Sequence, residues 1–168
     1  MKPKVTIIMG STSDLDIMSK GAELLDEFEI PFELNALSAH RTPEDVEKFA
    51  KRARERGIKV IIAGAGMAAH LPGVIAAMTP LPVIGVPINS SLSGFDSLLS
   101  ILQMPPGIPV ATVAVNGAVN AAILAIQIMA VNDEILMQKL LDYKKNLKKK
   151  VIEANIGLSK IKYSHKTN

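Results

Sequence analysis

Val60-Ile61-Ile62-Ala63-Gly64-Ala65-Gly66-Met67-Ala68-Ala69-His70-Leu71-Pro72-Gly73 is the stretch from which the fold can be read. It opens as a β-branched apolar run and ends in small residues, a histidine and Leu-Pro-Gly. The run has the make-up of a strand buried on both faces, as in a parallel sheet. Gly64 and Gly66 take side chains away where the backbone turns, which lets a ligand reach main-chain N–H groups. Pro72 suits the first turn of a helix, where its missing N–H costs nothing. Strand, bare loop and helix start follow in that order, which is how open α/β sheets build binding sites. A plain glycine turn between strand and helix fits the same residues.

Working outward, the chain alternates strand and helix. Val5–Met9 is a first buried strand, followed by Gly10-Ser11-Thr12-Ser13-Asp14. A helical spacing of Leu15, Met18, Ala22 and Leu25 then stops before Pro31. Phe32–Leu37 reads as a second strand and Ser38-Ala39-His40-Arg41 as its loop. Thr42 is placed as an N-cap, with Pro43 at the first helical position and Asp45 three residues beyond the cap. That helix runs to Arg56 and is closed by Gly57. Past the opening stretch, a short helix reaches Met78 and Pro82–Val86 forms a fourth strand. Asp96 is read as the cap of a helix through Gln103, and Val110–Val115 as a fifth strand. Ala118–Val131 is apolar on nearly every side, which predicts burial between neighbours. A last helix from Asp133 turns basic at Lys144–Lys150, most simply a solvated face. The expected layout is one α/β domain over residues 1–155 and a loosely ordered basic tail over 156–168.

Composition narrows the class. With 168 residues and 18.0 kDa the chain is most simply one domain with a sizeable core. Its hydrophobic fraction of 48% and mean hydropathy of +0.26 are high for a small soluble monomer. No run approaches the roughly 18 apolar residues of a membrane span, and the start of the chain has no signal-peptide layout. The spare apolar surface is therefore expected in subunit contacts. The absence of cysteine excludes a disulfide scaffold and thiolate metal sites, and suits the cytoplasm. The net charge of +3 lies largely in the tail, so no nucleic-acid partner is expected.

Strand–helix units in series predict a parallel three-layer αβα sandwich. With the strand order 2-1-3-4-5, the switch point lies between strands one and three, and the loops after strands one, two and three empty there. The first loop offers the hydroxyls of Ser11 and Ser13 with helix-start N–H groups, a phosphate cradle. It lacks the Gly-Lys-Ser/Thr of a triphosphate loop, which favours a monophosphate. Asp14 can accept hydrogen bonds from ribose hydroxyls or cap the helix. Arg41 beside His40 pairs a bidentate anion clamp with a titratable acid/base. His70 is either a second polar group of this site or a residue that caps or packs the short helix. No third partner joins the two histidines, so no metal site is expected.

Gly-Ser-Thr-Ser-Asp (10–14), Ser-Ala-His-Arg-Thr-Pro (38–43) and Ala-Gly-Ala-Gly-Met-Ala-Ala-His-Leu-Pro-Gly (63–73) resemble the PurE family. So do Ser-Gly-Phe-Asp-Ser-Leu-Leu-Ser-Ile-Leu-Gln-Met-Pro (93–105) and Pro-Val-Ala-Thr (109–112). The resemblance spans residues 4–142 in order. It implies a flavodoxin-like fold, a five-stranded parallel sheet with an added C-terminal helix, and an octamer with active sites at subunit contacts. It also implies isomerisation of N5-carboxyaminoimidazole ribonucleotide to its C4-carboxylated isomer in purine synthesis, without metal or organic cofactor. A related branch carboxylates aminoimidazole ribonucleotide with free CO2; it has lysine after the histidine and lacks His-Leu-Pro-Gly. Arg41, Pro43 and His70–Gly73 resemble the mutase branch.

Carried over by position, the resemblance gives the phosphate to Ser11, Ser13 and Arg41 and the ribose to Asp14. Ser38, His70 and main-chain groups at Ala65, Gly66 and Leu71 would line the base and carboxylate. His40 would move the proton at C4. Two stretches depart from the family pattern: Met67 stands where glycine is common, and Val115–Asn120 is shorter than the usual Gly-Lys-containing loop. Two other classes share such a fold, a flavin carrier and a non-catalytic nucleotide-binding module. The former usually stacks aromatics on its flavin, whereas this chain has no Trp and only two Tyr, both late.

Overall fold

The computed structural model describes residues 2–168. Strands β1 (Val5–Met9), β2 (Phe32–Ala36), β3 (Val60–Gly66), β4 (Val83–Ile88) and β5 (Ala111–Thr112) form one parallel sheet in the order β2-β1-β3-β4-β5. Every residue of β1 and β4 is buried, as is every residue of β3 up to Ala65. That is the signature of central parallel strands covered on both faces. Helices α1 (Leu15–Glu27), α2 (Pro43–Arg56), α3 (Leu71–Met78), α4 (Phe95–Leu102) and α5 (Ala118–Ala130) alternate with the strands and supply the two outer layers.

The period-two alternation of β3 divides its side chains between those layers. Ile61, Ala63 and Ala65 join Val46, Phe49, Ala50 and Ala53 of α2 and Leu71 and Ile75 of α3 in one buried cluster. Gly64 faces the other way, onto α1: a Cβ there would sit 2.5 Å from Met18 Sδ. Gly64 is therefore a packing glycine inside the strand. The turn itself comes later, at Met67, whose φ of 55° is left-handed.

Several boundaries differ from expectation for local reasons. Thr42 precedes α2, yet its hydroxyl caps no helix N–H; it donates to Ser38 O at 3.1 Å and accepts from Ser38 N at 3.0 Å, closing the loop. Gly94, at φ 82°, starts α4 in place of Asp96. Asp96 lies in the first turn, where the Ser91 hydroxyl, aided by Ser97 N–H, holds its carboxyl below the usual range. Strand β4 continues through Pro87 to Ile88, and β5 pairs over only two residues. Beyond β5 the chain still follows β4, with Val113 N on Gly85 O at 3.1 Å and Asn116 N on Pro87 O at 2.8 Å.

Helix α5 buries one face, Ala118, Ala121, Ala122, Ala125 and Ile126, and leaves Val119 exposed. Its burial is thus one-sided within this chain. The close approach that its alanines allow is tight: a Cβ on Gly21 of α1 would lie 2.8 Å from Ala118 O. Residues up to Met129 form one compact unit and those from Ala130 a second. The second is built on α6 (Glu134–Ser159), capped by the Asp133 carboxylate, which accepts from Leu136 N at 3.0 Å. The helix runs through Ser159, into the stretch expected to be loosely ordered, and Lys144–Lys150 is exposed along it.

Candidate functional site

The carboxyl ends of β1, β2 and β3 open into one cavity of about 450 Å³, within the usual size range of small-molecule sites. Each candidate named from the sequence lines it: Ser11, Ser13, Asp14, Ser38, His40, Arg41, Ala65, Gly66, His70 and Leu71. All belong to the unit ending at Met129.

The loop after β1 folds as a 3-10 turn over Thr12–Asp14, begun by Ser11, whose Oγ accepts from Ser13 N at 3.2 Å. Ser13 Oγ donates to Asp14 Oδ1 at 3.3 Å. Asp14 precedes α1 without a side-chain cap bond, so its carboxylate is left facing the cavity. Partial burial raises its pKa above the ordinary 3.8, against the smaller lowering by the Ser13 hydroxyl.

The loop after β2 is pinned by one hydroxyl. Ser38 Oγ accepts from His40 N at 3.3 Å, from Arg41 N at 3.2 Å and from Arg41 Nε at 3.5 Å. Two neighbouring side chains then diverge. Arg41 reaches the β1 loop, with a guanidinium nitrogen 3.3 Å from Gly10 O. His40 reaches the β3 loop, with Nε2 2.8 Å from His70 Nδ1 and the rings edge-on at 84°. One ring donates and the other accepts, so the contact needs a single proton, and a doubly protonated pair would set two cations side by side. His70 stands at the cap position of α3 but makes no side-chain cap bond. Its side chain therefore belongs to the cavity.

The β3 loop is held by Ala69 N on Met67 O at 2.9 Å and His70 N on Ala68 O at 2.8 Å. A left-handed backbone at a residue such as Met67 costs roughly 1–2 kcal/mol, which glycine would avoid. The cavity also takes in Ser90, which the sequence reading missed. The signal was indirect: Gly66 pairs with Ile88, so the residues after β4 emerge beside β3, and a Cβ on Gly66 would meet Ser90 Cβ at 3.3 Å. Among the described residues, no group of three His, Cys, Asp or Glu is placed to hold a metal ion.

A family model described as AIR carboxylase matches residues 4–150. The chain belongs to the AIR carboxylase family. Its relatives include the N5-carboxyaminoimidazole ribonucleotide mutase of Pyrococcus horikoshii, 60% identical over 90% of this chain and 86% of that protein. The mutase of the same name from Thermotoga maritima is 53% identical over 99% of this chain and 98% of its own. The phosphoribosylaminoimidazole carboxylase of Candida glabrata is 52% identical but far longer, this chain covering 29% of it. Among solved structures, Treponema denticola PurE superposes with a TM-score of 0.84 at 32% identity, covering 93% of this chain and 98% of that one. The fold described above is thus shared with a solved PurE structure.

The raised pKa of Asp14 has a testable sign. The folded state holds its proton more tightly than the unfolded state, so stability falls as pH rises from 3.8 through the shifted value. Asp14→Asn should gain stability relative to the parent at pH 7 and lose that advantage below pH 3.8, read as the difference between the two denaturation midpoints. A difference independent of pH would contradict it.

Proposed function

We propose that this chain is an N5-carboxyaminoimidazole ribonucleotide mutase, moving a carboxylate from the exocyclic nitrogen to C4 of the imidazole in purine synthesis. The observation that carries the reading is the divergence of Arg41 and His40 from one loop into one cavity. It sets an anion clamp and a proton carrier at adjoining places, as a phosphorylated substrate with a proton to move requires.

In this reading the Arg41 guanidinium, the Ser11 and Ser13 hydroxyls and the N–H groups of the β1 turn bind the phosphate. Asp14 accepts from the ribose hydroxyls, which replaces the water its carboxylate gives up. Main-chain groups from Ala65 to Leu71, among them those of Gly66, with His70, line the imidazole and the carboxylate. Ser38 acts by holding His40 and Arg41 through its three accepted bonds.

The bond from the exocyclic nitrogen to the carboxylate breaks to give CO2, and His40 gives a proton to the nitrogen to leave the amine. C4 then attacks the same CO2, and His40 removes the C4 proton, so atoms and charge balance without an oxidant. Holding CO2 against C4 turns a dilute encounter into an intramolecular step, worth roughly 7–11 kcal/mol when well oriented. His70, at the start of α3 with no side-chain cap bond and 2.8 Å from His40, is suited to orienting His40 or the carboxylate.

The same reading includes self-association as an octamer. It is supported by Phe95, Leu99 and Leu102, three large apolar side chains exposed along α4, with Leu92 just before them. No described helix is long and apolar enough to cross a membrane. The lack of cysteine suits the reducing cytoplasm, where purine synthesis would run.

The direct test is conversion of N5-carboxyaminoimidazole ribonucleotide to its C4 isomer without added bicarbonate. The parent should turn over, and His40→Asn should lose two or more orders of magnitude, within the ~10²–10⁴-fold span of general acid–base help. Arg41→Ala should weaken substrate binding by about 2–5 kcal/mol, the cost of a charge pair left unmatched. A strict need for bicarbonate would instead assign a carboxylase using free CO2, and His40→Asn at parental rate would remove His40 from the chemistry. Light scattering should find assemblies well above 18.0 kDa at micromolar concentration; a stable monomer would contradict self-association.

A further inference from the structure

Thr42 occupies a cap position without capping. It directly precedes α2, where a threonine hydroxyl usually accepts from the second or third helical N–H, yet it makes no such bond. The hydroxyl turns back on its own loop instead. It accepts from Ser38 N at 3.0 Å and donates to Ser38 O at 3.1 Å, and Thr42 N also reaches Ser38 O at 2.9 Å. Ser38 is thus gripped at its N–H and its carbonyl together, which fixes the direction in which its side chain leaves the backbone.

Thr42 is itself held from the core. Its carbonyl accepts from Val46 N at 3.1 Å, and Val46 is fully buried in one cluster with Phe49, Ala50 and Ala53 of the same helix. Pro43 opens α2 and disfavours helical backbone at the residue before it, in keeping with φ −137° and ψ 52° at Thr42. On the other side, the Ser38 hydroxyl accepts from His40 N, Arg41 N and Arg41 Nε. One chain of bonds therefore runs from the core through α2 and Thr42 to Ser38, and from there to both the anion clamp and the proton carrier. The cavity lining does not include Thr42, so it acts only through Ser38.

We propose that Thr42 is a positioning residue for the reaction, setting His40 and Arg41 at once by fixing Ser38, in place of the capping role its position suggests. This rests on the mutase reading and extends it. Thr42 touches no substrate and moves no proton. What it supplies is a shared reference for two side chains that have different tasks, so its loss should disturb binding and turnover together.

The test compares kcat and KM for N5-carboxyaminoimidazole ribonucleotide in the full-length parent, Thr42→Val, Thr42→Ala and Thr42→Ser. Valine keeps the shape of threonine without its hydroxyl, alanine is a second variant lacking that hydroxyl, and serine keeps it. Thr42→Val and Thr42→Ala should each lower kcat and raise KM, by about tenfold apiece, since a misplacement of about 1 Å can cost 10²-fold. Thr42→Ser should restore both constants to within about threefold of the parent. A residue that served α2 alone would lower the thermal midpoint in Thr42→Val and leave both constants in place, and that result would overturn the proposal while the mutase reading stood. A change confined to kcat or to KM would also overturn it, because the two side chains would then not share the reference. Thr42→Ser as impaired as Thr42→Val would assign the effect to packing of the methyl group, with the same consequence. Failure of the parent to form any C4 isomer would overturn both.

Discussion

The register of three parallel strands governs the rest of this molecule. Met9 of β1 pairs with Ala36 of β2 on one side and with Gly64 of β3 on the other, so the three strands end at nearly one level. Main-chain hydrogen bonds fix that level, and Leu37 N on Met9 O and Gly10 N on Gly64 O extend it into the loops. A slip of one residue would turn every buried side chain of β1 to the opposite face. The core thus enforces the alignment, and the alignment brings Gly10, Ser38 and Gly66 into one cavity before any functional side chain contributes.

On that platform the β2 loop is the organiser. It projects from the edge strand, and its side chains reach the β1 loop beside it and the β3 loop beyond. Ser38 uses one oxygen to hold the backbone of His40 and Arg41, which frees those side chains to diverge toward Gly10 and His70. The consequence is chemical separation over a short span. A permanent cation lies over a turn rich in hydroxyls and N–H groups, and an imidazole pair lies over a wall of small residues. Asp14, raised in pKa by its partial burial, is the one carboxylate set among them. In the proposed function, hydrogen bonds from the ribose hydroxyls would offset that burial.

Much of this was legible from residue pattern alone. β-branched runs fix the central strands because burial on both faces leaves them no alternation to hide. Gly57 closes α2 and Asp133 opens α6 through local rules that need no tertiary context. The failures are equally specific. Thr42 and Asp96 look like caps, but a serine four residues upstream of the first and five upstream of the second claims each side chain. Gly64 looks like a ligand-approach glycine, whereas its reason is Met18, distant in sequence. Ser90 enters the cavity through strand pairing, and the contact between His40 and His70 depends on two loops meeting over a third strand. Spacing along the chain carries no record of such encounters.

In the proposed reaction the substrate lies along the whole cavity, phosphate on the Arg41 side and reacting carbon against the histidine pair. A crystal structure with the C4-carboxylated ribonucleotide bound tests it most directly. The phosphate should lie within hydrogen-bond distance of Arg41, Ser11 and Ser13, the ribose hydroxyls on Asp14, and C4 in contact with the His40 ring. A phosphate placed on the His70 side, or a nucleotide bound outside this cavity, would contradict it.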